Sequence, residues 1–310
     1  MIDLAYEPLP SFSAAPPRKL DLFQMQIRII KSSFDTGQYE IRMGRGPGRI
    51  LDGGAVARLQ ALGHEVRVVN VDPKPAFPAE VSTAFAVMAG VAEEVRRAMA
   101  GGDFPIVLAG NCNTTVGAVS GLAPRQAGVV WFDGHADFET PETTTSGFVD
   151  GMGLAVLTGR CWQSLAASVP GFAPLPEKNV ILAGASDFGP SERESLRNSE
   201  IVYLSDTVLA APDKSGRLRS ALADLAERVS GIHLHIDLDV HDPRLARANQ
   251  FRPPGGLAPE RLQAVIKEVV EVVPILSVAI TAYDPDVDPD GVTLQSCLTL
   301  LEIVAGRLTS

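Results

Sequence analysis

The chain alternates short apolar runs with longer stretches in which apolar residues recur every three to four positions. Eight runs are short and rich in β-branched residues: Ile27–Ile30, Val66–Val69, Ile106–Leu108, Val129–Phe132, Val180–Leu182, Ile201–Tyr203, Ile232–Ile236 and Ile275–Ile280. Runs of this kind suit strands buried on both faces of a parallel sheet. Helical spacing predicts helices over 50–62, 79–100, 114–121, 191–198, 215–230, 257–272 and 292–307. Ser82, ahead of an Ala/Val/Met-rich stretch, and Pro259, in Leu257-Ala-Pro-Glu-Arg261, mark two helix starts. The alternation predicts an α/β fold, a mostly parallel sheet with helices on both faces. No repeat or linker divides the chain, so residues 25–310 read as one domain. Residues 7–20 carry Pro8, Pro10, Pro16 and Pro17 between small residues, so 1–24 read as an extended arm.

In such sheets ligands gather outside the carboxyl ends of the strands, and two acidic clusters fall there. Asp133-Gly-His135-Ala-Asp137 follows the run Ala127–Phe132, and Asp237-Leu-Asp239 follows Gly231–Ile236. If the backbone stays extended, residues at two-residue spacing project to one side. Buried together without cations, these carboxylates would repel one another. A lone Asp at a strand end is more often a turn former or helix cap; two matched clusters, one with a histidine inside, point instead to metal. Carboxylates with one imidazole suit Mn²⁺ or Mg²⁺ better than a structural zinc. Two cations about 3.5–4 Å apart would share a bridging water or hydroxide. Asp133 and Asp237 are the natural bridges, and Asp137 would orient the nucleophile.

Composition narrows the partners. The 310 residues are 45% hydrophobic and 21% charged, an ordinary globular balance. A formal net charge of −10 argues against nucleic acid as partner. Cys112, Cys161 and Cys297 are too few and scattered for a disulfide framework, which favours a reducing compartment. The N-terminus lacks the pattern of a secretory signal, and no apolar stretch reaches the ~20 residues that span a bilayer. The expectation is a cytoplasmic protein acting on a small molecule, away from membranes.

Further stretches carry a family resemblance, in order: Gly44-Arg-Gly-Pro47, Leu62-Gly-His-Glu-Val66, Val107-Leu-Ala-Gly-Asn-Cys-Asn113, the first acidic cluster, Pro141-Glu-Thr-Thr-Thr-Ser-Gly147, His235-Ile-Asp-Leu-Asp-Val-His-Asp-Pro243, Gly255-Gly-Leu257 and Tyr283-Asp-Pro285. Over residues 25–307 the chain resembles the arginase/agmatinase (ureohydrolase) superfamily. The resemblance implies a three-layer αβα fold with a mainly parallel eight-stranded sheet. It also implies two manganese ions per chain, hydrolysis of a guanidino group by a metal-bridging hydroxide, and a homo-oligomer, trimer or hexamer.

Four positions depart from the family pattern. Cys112 stands where the family has a metal-binding histidine; it is either a thiolate ligand, with the adjacent metal held less tightly, or a small apolar residue. This cysteine is similar to the branch acting on N-hydroxyarginine. Glu139 occupies the slot of an asparagine that reads the substrate carboxylate, while Ser146 remains able to donate to substrate. Asp150 aligns with the proton-shuttle histidine, or serves as an N-cap for a helix over 151–158. Ala282 replaces the glutamate that faces the guanidinium; Asp284, two residues on, either takes its place or belongs to a solvated turn. His233 and His235 read as core or outer-shell groups, and His241 as a substrate contact or a loop support. The reading is a ureohydrolase-like hydrolase with Cys112, Asp133, His135, Asp137, Asp237 and Asp239 on metal, and not a plain arginase. The alternatives are another imine or amide substrate, or a weakly metallated binding protein.

Overall fold

The computed structural model describes residues 25–122, 126–211, 216–251 and 253–308. The expected arm, residues 1–24, lies outside the described residues. Eight strands form one sheet: β1 (Gln26–Ser32), β2 (Glu65–Asn70), β3 (Phe104–Ala109), β4 (Ala127–Phe132), β5 (Val180–Gly184), β6 (Val202–Ser205), β7 (Gly231–Asp237) and β8 (Ile275–Thr281). Their order is β2-β1-β3-β8-β7-β4-β5-β6, and every neighbouring pair is parallel.

Period-two alternation divides each strand between two cores. Val130 and Phe132 of β4 pack with Leu234 and Ile236 of β7 and with Leu222, Leu262, Ile266 and Leu298 from helices on one face. Val129 and Trp131 pack on the other face with Met88, Val116 and Leu154. The result is a three-layer αβα architecture, as the alternation predicts. No helix among the described residues is long and apolar enough to cross a membrane.

Three local expectations need correction. The run Val66–Val69 is not buried on both faces: β2 is an edge strand, and Val68 is 40% exposed. The predicted helix 50–62 is two helices, Gly46–Asp52 and Ala55–Ala61, because Gly54 takes a left-handed φ of 98° between them. Ser82 does not precede its helix. It is the third residue of Glu80–Gly101, and its Oγ accepts from the Ala79 amide at 3.1 Å, returning a bond to the cap position. Pro259 opens the helix Pro259–Val272 as its sequence signal indicates.

The four central strands, β3, β8, β7 and β4, end side by side and place their following loops around one cleft. The loop after β3 depends on close backbone approach: a Cβ on Gly110 would lie 2.2 Å from Phe34 O and 2.9 Å from Gly44 Cα. The Gly110 carbonyl also accepts from the Ala282 amide at 3.2 Å, tying the ends of β3 and β8 together. Gly110→Ala therefore forces backbone apart, and is expected to destabilise the fold by about 1–3 kcal/mol. Urea unfolding measures this; a change within about 0.5 kcal/mol, the range of an indifferent surface substitution, contradicts the close approach.

Candidate active site

The cleft at the carboxyl ends has a volume of about 260 Å³. Its floor is the two acidic clusters. The chain leaves the sheet after Phe132 and turns, so Asp133, His135 and Asp137 are not displayed by an extended strand; Asp137 has a left-handed φ of 49°. The loop is held by its own carboxylates. Asp133 Oδ1 accepts from the His135 amide at 2.7 Å, and Asp133 Oδ2 accepts from Trp131 Nε1 at 2.9 Å. Asp237 Oδ1 accepts from the Asp239 amide at 2.6 Å, and Asp239 Oδ1 from the Gly134 amide at 3.1 Å, which stitches the two clusters together. His135 Nδ1 lies 3.3 Å from Asp239 Oδ2 and 3.6 Å from Asp133 Oδ1.

Cys112, from the loop after β3, points into the same cluster. Its Sγ lies 2.8 Å from Asp237 Oδ2 and 3.0 Å from Thr281 Oγ1. Asp150 sits behind it. Its carboxylate accepts from the Asn113 amide and from Asn111 Nδ2, each at 2.8 Å. Its bonds thus reach back to the β3 loop, and Val149, not Asp150, is the cap of the short turn Asp150–Met152.

Burial and mutual repulsion dominate the electrostatics. Burial, with the charge of Asp239, raises the Asp133 carboxyl; burial, with neighbouring aspartates, lifts Asp137 and Asp237 well above the usual range. Burial pushes Asp150 up to about 7 against the hydrogen bonds from residues 111–113. Burial and the surrounding carboxylates also lift the Cys112 thiol well above its ordinary value. Burial would raise Asp239 too, but His135, Asn249 and Asp237 hold it at about 2. His135 is raised well above its ordinary value: burial opposes its charge, and Asp239 and Asp133 outweigh it.

Other expected residues separate into two groups. Glu139 and Ser146 line the cleft, as do Asp150 and Ala282. Asp284 does not. Its carboxylate accepts from the Asp286 amide at 3.1 Å and lies 3.6 Å from Arg45, so it shapes a turn and does not take over from Ala282. His241 supports its loop, bonded to Leu238 O at 2.8 Å and to Ser296 Oγ at 2.9 Å.

Several cleft residues escape sequence reasoning. Glu192 reads as an ordinary first-turn acid after Gly189-Pro190, yet it is buried at the cleft and accepts from the Phe138 and Gly189 amides, both at 3.2 Å. Asn249, in a loop without pattern, donates to Asp239 Oδ2 and to Ala282 O, both at 3.1 Å. Phe148 and Phe251 meet at the cleft with ring centroids 5.4 Å apart. Only tertiary contact distinguishes these side chains from surface residues of the same type.

Comparison with known proteins fits this geometry. The family model described as "Arginase family" matches residues 25–305. The chain belongs to the arginase family. It is 28% identical over 294 residues to an arginase of Bacillus subtilis, covering 91% of this chain and 98% of that protein. It is 30% identical over 254 residues to the mitochondrial arginase-2 of Mus musculus, covering 74% of this chain and 70% of that one. The solved arginase of Bacillus cereus superposes with a TM-score of 0.82 at 25% identity, covering 91% of this chain and 98% of its own.

The cation pair associated with this family fits the residues present. Asp137 Oδ2 and His235 Nε2 are buried with no hydrogen-bond partner. Ligand atoms of Asp133, His135 and Asp239 lie within 4.8 Å of one another, and so do those of Cys112, Asp133 and His235. Asp133 is common to both groups, as a bridging carboxylate would be.

The raised carboxyls of Asp133, Asp137, Asp237 and Asp150 set a pH dependence for metal-free protein. Each holds its proton more tightly folded than unfolded, so its stabilising contribution is full below the ordinary value of 3.8 and declines as pH rises through the folded value, about 7 for Asp150. The chelated protein is therefore expected to melt at lower temperature at pH 8 than at pH 5. A bound divalent cation reduces or reverses that slope. Thermal melts with chelator and with Mn²⁺ measure it; identical slopes contradict the account.

Proposed function

We propose that this chain is a binuclear-metal hydrolase, with manganese at the position of Asp133, His135 and Asp239, that cleaves a C–N bond in a small guanidino or amidino compound. The observation that carries this reading is the lining of the cleft. Above the metal-ligand cluster lie Glu139, Asp187 and Glu192, and no lysine or arginine is among the described lining residues. An acidic cleft attracts a cationic substrate and discriminates against a carboxylate beside the reacting group. That disfavours plain arginase activity, which must seat an α-carboxylate.

When bound, the cation pair supplies hydroxide at neutral pH and Lewis-acid stabilisation of charge. The protein supplies the rest. Asp137 Oδ2, buried and without a partner, accepts a hydrogen bond from the attacking water and holds it in line with the trigonal carbon. Asp150, pushed up to about 7, can hold and release a proton at neutral pH for the departing amine. Phe148, Phe188 and Phe251 contribute apolar wall to the mouth. Ser146 places a hydroxyl there in reach of substrate polar groups.

A second reading keeps the metal centre and changes the bond to that of another imine or amide. Ala282 favours it, since a buried methyl stands where a guanidinium partner is expected. The family panel decides between them. Manganese-reconstituted protein is assayed against guanidino and amidino compounds with and without a carboxylate, measuring urea, substituted urea and amine. Turnover of a carboxylate-free cation at least about tenfold above L-arginine is the expected outcome, consistent with a difference of about 1.4 kcal/mol in transition-state binding. Turnover confined to L-arginine, or no turnover of any member, contradicts the reading. Asp137→Asn is expected to lower kcat by roughly 10²–10⁴-fold while leaving KM within a few-fold.

A further inference from the structure

His235 lies among the potential ligand atoms of the cleft but has no part in the expected ligand set, and its surroundings are unusual for a core histidine. It lies on β7 two residues before Asp237, so the two side chains share a face of the strand. It is fully buried. Its Nδ1 is bonded to Thr115 Oγ1 at 2.7 Å, and its ring stacks on Trp131, its register partner on β4, at 3.9 Å between centroids. The ring is thereby fixed in orientation. Its Nε2 is buried without any hydrogen-bond partner. A buried imidazole nitrogen left unpaired is costly. The neighbouring His233 shows the satisfied alternative, with Nδ1 bonded to Ser277 Oγ at 2.6 Å.

We infer that His235 is a metal ligand, and that Cys112, Asp133 and His235 form a nitrogen–sulfur–oxygen position that prefers a borderline ion such as Zn²⁺ or Co²⁺ to Mn²⁺. One ligand atom from each of the three lies within 4.8 Å of the others, so a single cation reaches all three with small side-chain adjustment. Each donor also has an outer partner of the type that orients metal ligands. Thr115 Oγ1 holds the imidazole, Trp131 Nε1 bonds Asp133 Oδ2, and Thr281 Oγ1 lies 3.0 Å from Cys112 Sγ. On binding, the Cys112 thiol gives up its proton to solvent and the sulfur becomes a thiolate.

The consequence is a centre of two unlike halves. The position of His135 and Asp239 is rich in oxygen and suits manganese; the position of Cys112 and His235 carries the softer donors. Asp133 belongs to both. The missing histidine at position 112 is thus offset by a histidine from β7, two strands away in the sheet, and the cysteine becomes a selector of metal instead of a defect.

This inference rests on the metal reading of the site but not on its substrate, so its test reads binding alone. Metal-stripped full-length protein is titrated with Co²⁺ and followed by the thiolate-to-cobalt charge-transfer absorption. The band is expected in the wild type, absent in Cys112→Ser, and shifted to at least about tenfold higher Co²⁺ concentration in His235→Ala, the lower end of what a perturbed ligand shell costs. Titration of His235→Ala identical to wild type overturns the inference. Zinc X-ray absorption on His135→Ala protein with one equivalent of Zn²⁺ keeps the test independent of how His235→Ala folds. Sulfur at about 2.3 Å together with imidazole nitrogen at about 2.0–2.1 Å supports the site; sulfur without imidazole, or no sulfur, overturns it. Correct metal signatures with no turnover of guanidino compounds would sink the substrate reading alone.

Discussion

The repulsion among buried aspartates is the constraint on which this structure depends. Asp133, Asp137, Asp150, Asp237 and Asp239 are all nearly inaccessible to water. Confined together, carboxylates either keep protons or need cations. The fold concentrates them by ending its four central strands at one level, and by tying the clusters with bonds such as Gly134 N to Asp239 Oδ1 at 3.1 Å. A hydrophobic sheet of this kind gains nothing in stability from such a grouping. Its sense lies in what it can bind.

Much of the frame was legible in the sequence because its signals are local and strongly periodic. The fully buried strands β3, β4, β5 and β7 read directly from their apolar runs. Legibility fell at the edge, where the valines of β2 read as a buried run although Glu65, Arg67 and Asn70 among them mark a border strand. It fell again at Gly53-Gly54, where one apolar period continues through a backbone break. The acidic clusters stand out in the sequence by residue type and spacing, and the structure does bring their carboxylates together. The direction of their side chains was not legible, since the loop after Phe132 turns through a left-handed Asp137.

The substrate side was legible in reverse, through what the chain lacks. Cys112, Glu139, Asp150 and Ala282 announce departures from the arginase pattern, but their consequences are tertiary. Asp150 finds its partners in the β3 loop, Asp284 turns away to Arg45, and Glu192 and Asn249 arrive from segments without any motif. His235 reads as a core or outer-shell group because its strand is apolar; its unpaired Nε2, and the closeness of one of its ring nitrogens to Cys112 and Asp133, are facts of three dimensions only.

The aspartate cluster, on this view, exists to hold two cations. Anomalous diffraction from crystals of the metal-loaded protein tests it most directly. Two resolved peaks are expected within the cluster, both against Asp133, one beside His135 and Asp239 and the other beside Cys112. A single peak, or none, under saturating metal would contradict it.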